Sequence, residues 1–382
     1  MKNILLVGNW PSDTGYAWWL METFWIAIAN RFRSVCRVIV CYPKLTTVPP
    51  RLAAANIEVI EFDYAGATNA QLQQFIKTQQ IGSIYLTDKS YVSWRYLLLR
   101  LNGVGRIIVH DHMPGVRRSP GPLKRLIKRG LGSVPAITAD AYVAVSEHIL
   151  QRLREVACLP PARCHLARNG VDTDRIALTR PGNIRAEIGI PADALLVVSS
   201  GRMTEYKNIR TIVEAANILI NQKSTQQLFF IHCGDGPERE SLAQLIDSLG
   251  LKGRFILLGG RDDVLAILKA SDFAVHASKG EGLSLSILEF MGSGLPVIVS
   301  DDPTVAQTVE QNVTGLLFQT GNAADLAARL EQLLGSQPER ARLGAAAAAE
   351  VVAHYSLNST VAVLVGIFEQ LLCDTAREQT TA

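Results

Sequence analysis

Apolar and polar positions alternate between two periods along this chain. Short Val/Ile-rich runs fall at residues 3–8, 36–41, 57–61, 82–87, 106–110 and 141–145, separated by helical patterns such as 16–33, 70–79 and 147–156. Strands that alternate with helices predict a parallel sheet covered on both faces. Ligands of such sheets bind at the carboxyl ends of the strands. The second half repeats the scheme. A strand at 195–200 runs into Gly201-Arg202-Met203-Thr204-Glu205-Tyr206-Lys207-Asn208, and one at 229–233 into Gly234-Asp235-Gly236-Pro237-Glu238. An apolar run at 273–277 leads through a Gly-flanked acidic turn into a helix with Leu285, Leu288 and Met291 on its apolar side, then a strand at 297–299. Helical patterns fill 322–353, and a last apolar helix follows Tyr355-Ser356 to about residue 372, with a frayed tail after Cys373.

The acidic turn carries Glu281 and the helix after it carries Glu289. Eight helical residues rise roughly 12 Å, whereas paired glycosidase carboxylates stand about 5–10 Å apart across one bond. The two therefore read as separate grips on one elongated ligand. Between them Gly282 permits close backbone approach, and the N–H groups of Leu283, Ser284 and Leu285 open a helix, a position that attracts anions. Acid, anion cradle, acid is the order of a sugar, a diphosphate and a ribose. Spacing alone leaves open a solvated surface pair. Arg202 and Lys207, on a Gly turn just before a helix, make a second diphosphate cradle by plain electrostatics, against the alternative of two surface bases.

Composition narrows the class. A chain of 382 residues with 48% hydrophobic content supports two domains with separate cores. A net charge of +3 does not call for a nucleic-acid partner. Six scattered cysteines without Cys-x-x-Cys or zinc-spaced histidines read as thiols of a reducing compartment. Residues 1–8 resemble no secretory signal, and the apolar window 17–29 is broken by Glu22 and too short to span a bilayer, so a cytoplasmic protein is expected. Neither Gly8 to Tyr16 nor Gly234-Asp235-Gly236 completes a dinucleotide fingerprint, and no Gly-Lys-Ser/Thr phosphate loop occurs. His110 and His112, at the end of the 106–110 strand and before a Pro-Gly turn, face the ligand end of the first sheet. His110 is the first choice because alternating residues point opposite ways, and Asp111 is placed to orient either ring. His232 and His276 lie in apolar runs and read as satisfied core residues.

Residues 95–133 hold nine bases against the single acid Asp111. Within them, 122–130 puts Leu123, Leu126 and Ile127 on one helical face and bases on the other. Two readings stay open: a solvated helix packed on its domain by those three residues, and a patch over 117–130 that docks on anionic lipid or holds an anionic, pyrophosphate-linked acceptor.

Glu281-Gly-Leu-Ser-Leu-Ser-Ile-Leu-Glu289 resembles the signature of retaining GT-B glycosyltransferases, in particular the large family-four group that uses nucleotide sugars. The resemblance implies that Glu281 binds donor-sugar hydroxyls and Glu289 the ribose. It implies that Arg202 and Lys207 are the phosphate pair, with Asn208 where the family usually has Gly. It implies that Gly15, in the first loop, approaches donor phosphates and acceptor. A donor-contacting histidine belongs at the end of the strand that carries His110. Gly234-Asp-Gly236-Pro237 is similar to the family's Gly-x-Gly-Pro against the nucleotide, and Arg261 to its contact with base or phosphate. Asp235 and Glu238 read as caps of the next helix.

The implied architecture is α/β of GT-B type, two Rossmann-like parallel-sheet domains facing a central cleft. An acceptor-side domain is expected over 1–175, a nucleotide-sugar-binding domain over 176–355 with the linker at 173–182, and a crossover helix and tail over 356–382 returning to the first domain. The implied reaction moves a sugar from a nucleotide diphosphate to an acceptor hydroxyl of a glycan or lipid-linked glycan, with retention. No metal or other cofactor is expected. His110, Glu281, Arg202 and Lys207 are the catalytic candidates. The rivals are a nucleotide-sugar epimerase or hydrolase on the same fold, and a non-catalytic subunit. The base, the sugar, the acceptor and the oligomeric state are open.

Overall fold

A computed structural model describes residues 2–14, 18–222 and 227–380, which gather into two compact units. Gly15, the glycine assigned to the first loop, lies outside the described residues. The first unit comprises Met1–Met113, Arg117–Arg168 and Ser359–Ala382; the second comprises Pro114–Val116 and Asn169–Asn358.

The first unit is built on a seven-stranded parallel sheet: β1 (Asn3–Val7), β2 (Val38–Tyr42), β3 (Glu58–Glu61), β4 (Ile81–Thr87), β5 (Arg106–Asp111), β6 (Ala141–Ala144) and β7 (Cys164–Leu166). Their order is β3-β2-β1-β4-β5-β6-β7. Every position of β1 and β2 is buried, as helices on both faces of a parallel sheet require. The strand order reverses between β1 and β4, so the loops after these strands part and leave a crevice. The return helix Leu357–Thr380 packs in this unit, with Phe368 against Phe32 and Tyr85, Glu369 paired with Arg31, and the Leu371 carbonyl accepting from Arg106 at 3.0 Å.

The second unit has a six-stranded parallel sheet: β8 (Leu195–Ser200), β9 (Leu228–Cys233), β10 (Phe255–Gly259), β11 (Phe273–His276), β12 (Val297–Ser300) and β13 (Gly315–Phe318), in the order β10-β9-β8-β11-β12-β13. Here the reversal lies between β8 and β11. The two loops that part at this point are the one that carries Arg202 and Lys207 and the one that carries Glu281. Topology alone thus assembles the site.

Three local expectations change. Residues 173–178 are a helix, Thr173–Leu178, rather than linker, because the Asp172 carboxylate accepts from the Arg175 N–H at 2.9 Å and caps it. The last helix runs to Thr380 instead of fraying after Cys373. The strands β7, β10 and β13 were not foreseen; with three residues, β7 is too short for a period to register.

Candidate functional site

The turn after β8 presents Lys207. A 3-10 turn over Glu205–Lys207 ends at Asn208 in the left-handed region (φ 55°, ψ 41°). Asparagine tolerates that conformation, and the Asn208 amide donates to the Ala277 carbonyl at 3.3 Å, tying the turn to the loop after β11. The tie is doubled by Lys279 N–H donating to the Tyr206 carbonyl at 2.7 Å.

That second loop is pinned from below. Ser300 donates to the Ser278 carbonyl at 2.5 Å, the Thr304 hydroxyl accepts from the Glu281 N–H at 2.9 Å, and Gln307 donates to the Gly282 carbonyl at 2.9 Å. Thus held, Glu281 is 8% exposed, and its Oε1 accepts from Lys207 Nζ at 2.5 Å and from His276 Nε2 at 2.8 Å. Oε2 has no partner among the described residues and is not sealed from solvent. Burial works against ionisation of Glu281, but the Lys207 ammonium and the His276 N–H outweigh it and pull the carboxyl down to about 2. Burial lowers the pKa of His276, so its ring is neutral, with the proton on Nε2 where the carboxylate accepts it. A carboxylate, an ammonium and a neutral imidazole therefore form one compact, ionised grip.

The helix Leu285–Gly292 starts at Ser284, whose hydroxyl turns to His276 at 3.4 Å and makes no cap. The N–H groups of Leu283, Ser284 and Leu285 have no acceptor among the described residues. Glu289, one turn further on, is 8% exposed. The solvated surface pair that spacing left open is thereby excluded.

Arg202 is exposed and its side chain makes no hydrogen bond or ion pair among the described residues. It is presented where the loops after β8 and β9 lock together. Met203 N–H donates to the Asp235 carbonyl at 2.9 Å and Glu238 N–H to the Met203 carbonyl at 3.0 Å. Gly234 and Gly236 permit this contact: a Cβ on Gly234 would stand 1.9 Å from the Gly201 carbonyl oxygen, and one on Gly236 2.5 Å from that of Met203. Their φ values, +147° and +159°, also disfavour any side chain. The glycines are thus required by loop-on-loop packing. His232 is satisfied as expected, with Nδ1 2.8 Å from Ser199 Oγ and Nε2 3.0 Å from the Gly201 carbonyl, and burial lowers its pKa to about 4.

The surroundings of other residues differ from those expected. The Arg261 guanidinium is committed to Glu187 at 2.6 Å and Asp263 at 2.8 Å, so its charge is met within the protein. Glu238 precedes the helix Arg239–Ser248 without a side-chain cap, and Asp235 accepts from Gly236 N–H at 2.7 Å and pairs with Arg239 at 3.4 Å. His276, read as core, is a partner of Glu281. Its place at the carboxyl end of β11, beside the reversal of strand order, is the signal that would have found it.

In the first unit His110 is fully buried, and Nδ1 lies 2.5 Å from the Tyr85 hydroxyl. That hydroxyl has no other partner among the described residues, so it donates to Nδ1 and leaves the ring proton on Nε2. The His112 ring lies 4.2 Å from that of His110: residues i and i+2 of a strand share a face, so the two histidines are neighbours and not alternatives. Asp111 orients neither. It is spoken for by Arg152 at 2.9 Å through both oxygens and by the Tyr91 hydroxyl. His110 Nε2, His112 Nε2, Asn9 Oδ1 and Thr87 Oγ1 are buried polar atoms without a partner among the described residues, and they cluster where β1, β4 and β5 end. Asn9 and Thr87 were not foreseen.

The helix Pro122–Gly132 overturns one of its two readings. Leu123, Leu126 and Ile127 are 73%, 69% and 53% exposed, so they do not pack it on its domain. At 100° per residue the apolar stripe points outward and the buried Gly132 inward.

Among the described residues no helix is long and apolar enough to cross a membrane. Comparison with known proteins follows the division into units. Residues 21–175 match the family model Glycosyltransferase Family 4, and residues 182–350 match Glycosyl transferases group 1. The chain is 33% identical over 159 residues to lipopolysaccharide core biosynthesis glycosyltransferase LpsE of Rhizobium meliloti (strain 1021), covering 42% of this chain and 45% of that one. It is 35% identical over 144 residues to an Escherichia coli UDP-Gal:alpha-D-GlcNAc-diphosphoundecaprenol alpha-1,3-galactosyltransferase, covering 37% of each. These matches span less than half the length of either relative. The crystal structure of Anabaena Alr3699/HepE with UDP-glucose superposes over 97% of this chain and 100% of its own, with a TM-score of 0.72 at 19% identity. Its two parallel sheets and that superposition give the chain the GT-B architecture, and by the two family matches, which together run from residue 21 to 350, it belongs to the group 1 and family 4-like glycosyltransferases.

Proposed function

We propose that this protein transfers a sugar from a nucleoside diphosphate to a hydroxyl of a glycan or lipid-linked glycan, with retention of anomeric configuration. The observation that carries the reading is the Lys207–Glu281–His276 grip beside unbonded helix-opening amides and an unpaired Arg202, all at one strand-order reversal. Arg202, Lys207 and the amides of Leu283 to Leu285 meet the diphosphate, Glu281 takes sugar hydroxyls through Oε2, and Glu289 takes the ribose. Gly234 and Gly236 shape the wall against the nucleotide. The bond from the anomeric carbon to the β-phosphate oxygen breaks, and the acceptor hydroxyl forms the new bond on the same face. Its proton passes to the departing phosphate. Stabilising that departing charge is the largest contribution asked of the protein, and the reading assigns it to these residues without a metal. In the first unit the Nε2–H of His110, with His112, Asn9 and Thr87, offers hydrogen bonds to hydroxyl-bearing substrate. The outward stripe and bases of the helix Pro122–Gly132 sit on an anionic membrane surface, where a lipid-linked acceptor is found.

UDP-hexoses are the first donors to try, since Anabaena HepE was crystallised with UDP-glucose. Incubation with a donor and a diphosphate-linked acceptor in EDTA should release UDP and give a product whose proton NMR coupling shows the donor's own anomeric configuration. An inverted product would overturn retention, and donor turnover undiminished without acceptor would favour a hydrolase.

A further inference from the structure

Beneath the outward-facing helix Pro122–Gly132 lies a cavity of about 280 Å³, lined by Tyr91, Arg117, Lys128, Leu131, Arg152 and Val156 among others. Its charge is one-sided. Three cations line it, Arg117, Lys128 and Arg152, and Arg152 is paired with the Asp111 carboxylate at 2.9 Å. Among the described residues Lys128 Nζ gives one hydrogen bond, to the Val156 carbonyl at 2.7 Å, which leaves two of its three N–H donors. Among the described residues the only hydrogen bond of the exposed Arg117 side chain is to the Met113 sulfur, at 3.3 Å. The wall formed by Arg152–Val156 is a π-helical turn, a distortion frequent at functional sites. The space is several times that of a phosphate group.

The cavity adjoins the outward stripe directly: Leu131 both lines it and is 45% exposed. Lys124 and Arg129 flank the stripe with no side-chain partner among the described residues. A soluble phosphate ester would need the basic socket but not an exposed aliphatic stripe that reaches its rim at Leu131. A lipid with a phosphate head uses both.

We propose that this cavity is a socket for the phosphate head of a membrane lipid, with Arg117 and Lys128 donating to the phosphate oxygens while Leu123, Leu126, Ile127 and Leu131 enter the acyl boundary. The proposal rests on the membrane-surface reading above and adds a defined headgroup site to it. General attraction to anionic lipid scales with charge alone. A socket prefers a head with free phosphate oxygens.

The test is co-sedimentation of the full chain with phosphatidylcholine vesicles that carry either phosphatidic acid or phosphatidylglycerol, the mole fractions set to equal surface potential. The wild type should bind the phosphatidic acid vesicles about tenfold more tightly, the size of one charge-assisted hydrogen bond. Arg117→Ala with Lys128→Met should bring that ratio near unity. Lys124→Ala with Arg129→Ala, which removes the same charge outside the cavity, should weaken both affinities and keep the ratio. Arg117→Ala alone is the control for folding, because that side chain is exposed, and it should lower the ratio by itself. A wild-type ratio near unity with both vesicles bound overturns the socket and leaves the membrane reading standing. Binding to neither vesicle overturns both. Glycerol phosphate that shifts the Lys128 resonances while no vesicle binds would assign the cavity to a soluble ester and overturn the lipid source.

Discussion

Replacing Lys207 by Met tests whether the grip is an ion pair whose removal leaves a buried charge. Glu281 titrates at about 2 instead of 4.5, a gap worth about 3 kcal/mol at roughly 1.4 kcal/mol per unit. Lys207 supplies the largest part of that pull, against burial that opposes ionisation. Without the ammonium the carboxylate keeps its burial and only the His276 N–H. The second unit should then lose about 3 kcal/mol at neutral pH, within the range of a broken buried pair. Because the folded pKa is depressed, this stabilisation is fully present above about pH 4.5 and fades as pH falls toward 2. All five tryptophans (10, 18, 19, 25 and 94) belong to the first unit, so fluorescence would miss the effect. Hydrogen exchange of peptides covering β8 and β11 reports on the right sheet. The double variant with Glu281→Gln should recover about 2 kcal/mol of the loss, since no charge is then left unpaired. Additivity of the two single costs within about 0.5 kcal/mol would refute the pair, as would a Glu281 carboxyl still titrating near 2 in Lys207→Met.

Three further outcomes follow from the same structure. Gly234→Ala puts a Cβ 1.9 Å from the Gly201 oxygen at a φ of +147°; it should cost about 2–3 kcal/mol and weaken nucleotide binding, whereas a wild-type melting temperature would contradict the loop-packing argument. Tyr85→Phe removes the donor to His110 Nδ1, so nitrogen-15 NMR should show a single Nε2–H tautomer in the wild type and a mixture in the variant; an Nδ1–H wild type would refute the assignment. His232 has a folded pKa of about 4 against 6.5 unfolded, so the unfolded chain binds more protons between these values and stability falls by about 3 kcal/mol as pH drops through that window. Burial likewise lowers the pKa of His110, His112 and His276, adding to the loss. Urea titrations at pH 7 and pH 4.5 that give equal midpoints would contradict it.

Much of this was legible because the parallel-sheet strands are apolar throughout and end in loops rich in Gly and charge. That pattern placed Arg202 and Lys207 on the turn after β8, Glu281 on the loop after β11 and Glu289 on the helix that follows it. Their mutual geometry was not legible, because it is set by tertiary hydrogen bonds such as Asn208 to Ala277 and Thr304 to Glu281. His276 was hidden by its apolar neighbours, which describe the strand and not its end. The ion pair of Arg261 with Glu187 was not legible, because the two are 74 residues apart in sequence. The helix Pro122–Gly132 has the periodicity of a packed amphipathic helix, and periodicity carries no information on which face meets the protein. Only the exposed leucines settle that.

The claim on which the rest depends is that a nucleoside diphosphate is held on the second unit by Arg202, Lys207 and the amides that open the Leu285–Gly292 helix. Titration calorimetry of UDP, GDP and ADP in EDTA tests it directly. Saturable one-site binding of at least one of them, weakened about tenfold in Arg202→Ala, is predicted. No heat with any of the three, or an affinity that Arg202→Ala leaves unchanged, would contradict the account.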